Sequence, residues 1–375
     1  MNTLRTLLLL VVSSGTLFTA TSCSAAGVQV LYIIENRTLV TYDVDFRTGT
    51  ATRVGSTPVG VSPIQMFSSP NTRFLYLAGS TAAGETFIFA YPTDARGVPA
   101  PRPAQRFLAN QLSQFVVHPS GKYGYALFSY LDSNGEFNSS VELFKMSSTN
   151  GFMVNTHKVQ ATYGPSFYLQ ESLFGTTKDG RKLYDGSSVN FHSANGTAYS
   201  FRLVDPATGD LGTDTGFIAG VGYADSYYRI DFSDDLIVDY FNAGYSGGPI
   251  SLDVYPNSIN PMTPLIDCTV SMLTVCGDEI AGVKLDPSAQ NIFISDLSLD
   301  QTTVAHIDLV NSQLTASATV AGTPRTYFNP DGSIFFAASD YRIDIYRLQS
   351  TTGTLVLGPS IPLAPGSFVF ASERR

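Results

Sequence analysis

Tryptophan is absent from this chain, cysteine occurs three times and histidine four times in 375 residues, and only 14% of the residues are charged. His157 and His192 have no Asp, Cys or His neighbours at fixed spacing and His306 reads as a residue on the solvated face of a strand, so no metal triad and no Ser-His-Asp set can be read, and no G-x-S-x-G elbow occurs. No cofactor motif is present either. Positive charge is also scarce. Against 31 Asp and Glu stand 22 Lys and Arg, a net charge of −9, so the molecule as a whole repels phosphate backbones and nucleic acid is excluded as a partner. Beyond the N-terminus no apolar run is long enough to cross a membrane. What is abundant is 43% hydrophobic and 12% aromatic residues with 32 Gly and 20 Pro, which excludes a disordered, collagen-like or coiled-coil chain.

The N-terminus reads as an export signal over residues 1–22. Arg5 precedes the apolar run Leu7 to Val12, which continues through Leu17 and Phe18 to the small residues Ala20-Thr21-Ser22-Cys23. That last group resembles a bacterial lipobox and makes Cys23 the expected lipidated first residue of the mature chain. Ser24-Ala25-Ala26 offers an ordinary cleavage site instead, which would release a soluble protein. An odd cysteine count in an exported protein leaves one thiol to explain. Lipidation of Cys23 leaves Cys268 and Cys276 as a candidate disulfide across a local loop. The expected location is the periplasm or cell envelope, with membrane contact only through the lipid.

The mature chain, 23–375, is a repeat. Its unit is an apolar strand ending in a small polar residue, a turn through Gly or Asp, and a second strand bearing an aromatic. Phe115-Val-Val-His118-Pro-Ser-Gly-Lys-Tyr-Gly-Tyr125 and Tyr327-Phe-Asn329-Pro-Asp-Gly-Ser-Ile-Phe-Phe336 are the clearest copies. With the polar residue as anchor, the copies fall at Ser69, His118, Thr177, Ser233, Asp286 and Asn329. The residue seven further on is Tyr or Phe every time. Pro cannot continue a central strand and Ser-Gly or Asp-Gly supplies a tight reversal, so each copy reads as two antiparallel strands. A third strand follows by period-two alternation, as in Thr86 to Tyr91 and Val304 to Leu309, then a Gly-containing turn and a weaker edge strand. Four short strands recurring about every 50 residues are the signature of a propeller blade.

The two ends complete the count. Residues 28 to 55 hold a second and a third strand but no first, and the missing strand stands at the far end as Phe368 to Ser372, with Ser372 in the anchor place. The expected fold is therefore all-β: a single seven-bladed β-propeller domain over 23–375, closed by the C-terminal strand joining the N-terminal blade. Closure removes the free sheet edges of an open array.

This strand-turn-strand pattern resembles the YVTN-type, lactonase-like propellers, a family that includes 6-phosphogluconolactonases and carboxymuconate-lactonising enzymes. The enzyme-like members carry Gly-Pro-Arg-His before a first strand. Here Gly322-Thr323-Pro324-Arg325-Thr326 keeps Pro-Arg and has Thr where the His is expected, so the resemblance implies the architecture and leaves the chemistry without its histidine.

Near the channel end of the first strands, four residues before the anchors, stand Gln65, Gln114, Arg229 and Arg325, which could bind a carboxylate or phosphate-bearing ligand. Glu171 and Glu279, just before strands, are the candidate carboxylates. His118 fills an anchor place and reads as a turn residue satisfying local backbone groups. Asp132-Ser-Asn134-Gly-Glu136 lacks the terminal Glu of a calcium loop and reads as a polar blade loop. The expected function is a non-catalytic, monomeric binding module for protein, peptide, glycan or a small anionic ligand. The alternative is a lactonase-like hydrolase or cycloisomerase acting on an anionic lactone.

Overall fold

The computed structural model describes residues 28–45, 48–70, 73–163, 167–169, 174–189, 198–219, 227–242, 250–257, 264–269, 280–322, 325–328, 332–349 and 351–374. Every regular element in them is a strand, and the strands form seven antiparallel sheets. Blade 1 runs Phe368–Arg374, Val28–Glu35, Thr38–Asp45, Ala51–Pro58, so both chain ends share one sheet. Blades 2 to 7 then follow in chain order, with first strands Ser62–Ser68, Leu112–Val117, the split pair Phe167–Leu169 and Gly175–Thr176, Tyr227–Phe232, Ile280–Leu285 and Arg325–Phe328. First strands touch between blades 1 and 2, 2 and 3, 3 and 4, 5 and 6, and 7 and 1, so they form the inner ring.

The closing strand behaves as the repeat predicts, with one difference. Phe370 pairs with Tyr32 and Ser372 with Val30, but the strand continues past Ser372 to Arg374. Elsewhere the anchor ends its strand because the chain must reverse there. The first strand of blade 4 also departs from expectation. Leu169 pairs with Ser187 and Gly175 with Tyr184, so five intervening residues oppose two, and the ladder is interrupted.

The anchors are small and polar for a local reason. At Ser69, Thr177, Ser233 and Asp286 the anchor sits one residue beyond its strand, and its side-chain oxygen accepts the first N–H of the second strand: Phe74 N–H donates to Ser69 Oγ (3.1 Å), Lys182 N–H to Thr177 Oγ1 (3.1 Å), Leu236 N–H to Ser233 Oγ (2.9 Å) and Asn291 N–H to Asp286 Oδ1 (2.9 Å). These side chains satisfy donors at the mouth of each turn that would otherwise be unpaired.

The aromatic seven residues on serves the next blade. Tyr76, Tyr125, Tyr184, Tyr240, Phe293 and Phe336 are all buried. The hydrophobic clusters that hold them each join two neighbouring blades, 2 with 3, 5 with 6 and 6 with 7 among them. At roughly 1.5–3 kcal/mol for each fully buried large apolar side chain, these faces are what hold the ring together. Two tyrosines add a directional contact. Tyr76 Oη donates to Gly151 O (3.1 Å) and Tyr125 Oη to Gly209 O (2.8 Å), each accepting glycine lying in the outer turn of the following blade with φ near +71° and +77°. Burial raises the phenol pKa of both. The outer turns therefore need glycine twice, for the left-handed backbone and for the close approach of the neighbour's ring.

Candidate functional site

The inner ring has two ends, one where the first strands begin and one where the anchor turns leave them. At the first lie the residues that the sequence singles out. Gln65 is half-buried on blade 2, and its amide is taken up whole by blade 3: Nε2 donates to Phe115 O (2.9 Å) and Oε1 accepts Phe115 N–H (2.8 Å). Gln105 at the outer edge repeats the device on Met153, and Gln160 accepts Leu211 N–H. Gln65 is thus one of a set of inter-blade clamps. Gln114, half-buried on the neighbouring first strand, is also engaged. Arg325 is exposed as the first residue of its strand, and its charge opposes the burial that raises the Tyr327 phenol pKa. Arg229 lies mid-strand in blade 5 opposite Tyr240, its side chain outside the described residues. Glu171, Glu279, Cys23 and Cys276 lie wholly outside them, while Cys268 is on the edge strand Ile266–Thr269, paired with Leu252.

At the other end, the anchor turns and strand ends of five consecutive blades, 4 through 7 and then 1, line an open cavity of about 730 Å³. Blade 5 contributes Asp231, Asp234 and Asp235, and blade 6 contributes Lys284 and Asp286. Lys178 of blade 4 and the rings of Phe232, Tyr327, Phe328 and Phe370 complete the lining. Two of the carboxylates are structural. Buried Asp231 accepts Leu285 N–H at Oδ2 (2.7 Å) and Lys284 Nζ at Oδ1 (3.2 Å), fastening blade 5 to blade 6. Asp286 accepts Gln290 and Asn291 N–H at Oδ1 and the Ser288 hydroxyl at Oδ2. Asp234 Oδ1 accepts Lys178 N–H (2.5 Å), and Asp235 is exposed. Sequence reasoning passed over this end because the anchors had a sufficient role as turn makers. A signal was nevertheless there. Two residues before the anchor stand Phe67, Val116, Gly175 and Tyr327 in four blades, but Asp231 and Lys284 in the adjacent blades 5 and 6.

His118 adds no free acid–base group here. His118 is buried, its Nδ1 accepts Ser120 N–H (3.1 Å), and Nε2 therefore carries the proton and donates to Gly180 O in blade 4 (2.8 Å). Burial, only partly offset by the Gly180 bond and by Asp179, lowers its pKa. The turn reading of His118 thus holds, with an inter-blade bond in addition. Asp132 Oδ1 accepts Asn134 and Glu136 N–H (2.8 and 2.9 Å), so that segment is a self-bonded loop. Among the described residues, no group of three His, Cys, Asp or Glu is placed to hold a metal ion.

With seven antiparallel blades and a ring closed by the C-terminal strand, the protein is a seven-bladed β-propeller. No protein-family model matches the sequence, and no curated protein matches it. Solved structures do. A protein from Lactobacillus plantarum superposes with TM-score 0.65 at 15% identity, covering 92% of this chain and 99% of that one. The periplasmic gluconolactonase of Pseudomonas aeruginosa gives 0.60 at 14% identity, with 92% and 99% covered. A proposed 6-phosphogluconolactonase of Bacteroides fragilis gives 0.59 at 15%, with 93% and 99% covered. At such identities the likeness is one of fold, and function has to be argued from the site.

Proposed function

We propose that this chain is a ligand-binding propeller of the bacterial cell envelope, exported by residues 1–22, tethered by lipid on Cys23, and working without catalysis. The cavity of about 730 Å³ at the anchor-turn end carries this reading, since its volume lies in the range of small-ligand sites, roughly 300–1,000 Å³. The chemistry around it supports binding over turnover, since Asp231 and Asp286 are occupied by backbone donors. A second reading, a lactonase-like enzyme holding an anionic lactone between Arg229 and Arg325, is favoured by the gluconolactonase among the similar folds.

Purified protein assayed against a lactone panel, beside Arg325→Ala, separates the two. No turnover by either protein is the expected result; turnover that vanishes in Arg325→Ala overturns the binding reading. Fractionation tests the tether independently. Cys23→Ala should move the protein from the membrane to the soluble fraction, and an unchanged distribution refutes lipidation.

A further inference from the structure

Resting on the binding reading above, we infer that the anchor-end cavity is a carbohydrate site, taking a short neutral oligosaccharide. Its walls differ in chemistry. On blades 4 and 5, Lys178 is an exposed ammonium donor, while Asp234 and Asp235 are carboxylate acceptors. Facing them across the ring, Tyr327 of blade 7 and Phe370 of blade 1 present half-buried rings. Phe370 is backed by Tyr32, stacked at 6.3 Å with 16° between planes, which fixes it as a flat support.

Charge narrows the class of ligand. An anion entering here meets four aspartates against two lysines, and a simple cation, although drawn by that surplus, leaves the lysine donors unused. A neutral polyol uses both signs, because each hydroxyl donates to a carboxylate and accepts from an ammonium. A pyranose ring also has an apolar C–H face suited to the aromatic wall, where a linear polyol or a free amino acid has none. The site is built on rigid parts: Asp234 is pinned by Lys178 N–H, and the strand beneath it is locked to blade 6 through Asp231. A ligand would therefore meet preorganised groups rather than order them, which favours affinity.

The test is calorimetric titration of the exported protein with oligosaccharides of matched length that are neutral, amino-bearing or uronate-bearing. The neutral set should bind at least about tenfold more tightly than the uronate-bearing set and no more weakly than the amino-bearing set. Asp235→Ala and Lys178→Ala, both at exposed positions, should each weaken neutral binding about tenfold, as expected for loss of a charge-assisted hydrogen bond, with the unfolding temperature unchanged. Saccharide binding indifferent to both substitutions, or a preference for a charged set, overturns the inference. So does silence of every saccharide while a non-carbohydrate library yields a ligand lost in Asp235→Ala, although that result leaves the binding reading standing. If no ligand of any class depends on Asp235 or Lys178, both fall.

Discussion

The coupling between neighbouring blades can be measured at one glycine. Gly209 in the outer turn of blade 4 has φ of +77°, and a Cβ placed there would lie 2.6 Å from Cδ1 and Cγ of Tyr123 in blade 3. Its carbonyl is also the acceptor for Tyr125 Oη. Gly135 has nearly the same backbone, φ +78°, with nothing within 4 Å of a Cβ. Alanine at Gly135 should cost only the left-handed penalty, about 1–2 kcal/mol, reduced by the stiffer unfolded chain. Alanine at Gly209 adds overpacking of about 1–3 kcal/mol and up to about 1 kcal/mol for the displaced tyrosine bond. The difference between the two variants should be about 1–4 kcal/mol. Urea unfolding at constant m-value, followed by tyrosine emission in a chain without tryptophan, reads it directly. Equal destabilisation, within about 0.5 kcal/mol, would refute the idea that outer-turn glycines are inter-blade contacts.

Two further tests address the side chains that sequence singled out. Because burial lowers the pKa of His118 in the fold, the unfolded chain binds the extra proton first; stability should be full above about pH 6.5 and decline as pH falls through the lowered folded value. His118→Gln should flatten that part of the pH–stability curve, and an unchanged slope would show that another group titrates there. Gln65→Leu should cost about 2–4 kcal/mol, since it strips both an acceptor and a donor from Phe115 at the inner ring. Hydrogen exchange at the Phe115 amide should accelerate in that variant; unaltered exchange would mean that the clamp does not hold blade 3.

Most of the architecture was legible because each blade repeats a local solution. The anchor caps the turn within five residues of itself, as Ser69 does for Phe74, and the aromatic follows at fixed spacing, so both signals fit in a short window of sequence. Ring closure could be read from a missing strand at one end and a spare one at the other. The clamps could not be read, since Gln65 meets Phe115 fifty residues away and the amide has no local pattern. Gln65 therefore looked like a ligand-binding group at the channel end, where its polar atoms in fact join two blades. The split first strand of blade 4 was hidden for a related reason: an insertion inside a strand leaves the alternation on either side intact.

The cavity illustrates where function is to be sought in a repeat protein. Seven copies of one blade give a ring of nearly equivalent walls, and equivalence by itself offers a ligand no orientation. A site arises where neighbouring copies depart from the repeat together. At the position two before the anchor the departure is charged and complementary, Asp231 in blade 5 and Lys284 in blade 6, and the two residues bond across the blade interface. Removing either alone would leave the other without its partner beside a polar cavity, so they are best regarded as one substitution made in two blades. Asp234 and Asp235, on the turn that Asp231 fastens, then lie on one side, while Tyr327 supplies an aromatic ring at the same position in blade 7. An exchange of Asp231 and Lys284, placing Lys at 231 and Asp at 284, would preserve the charge pair but present an ammonium where Leu285 N–H needs an acceptor. That double variant should fold less stably than the wild type despite an intact ion pair.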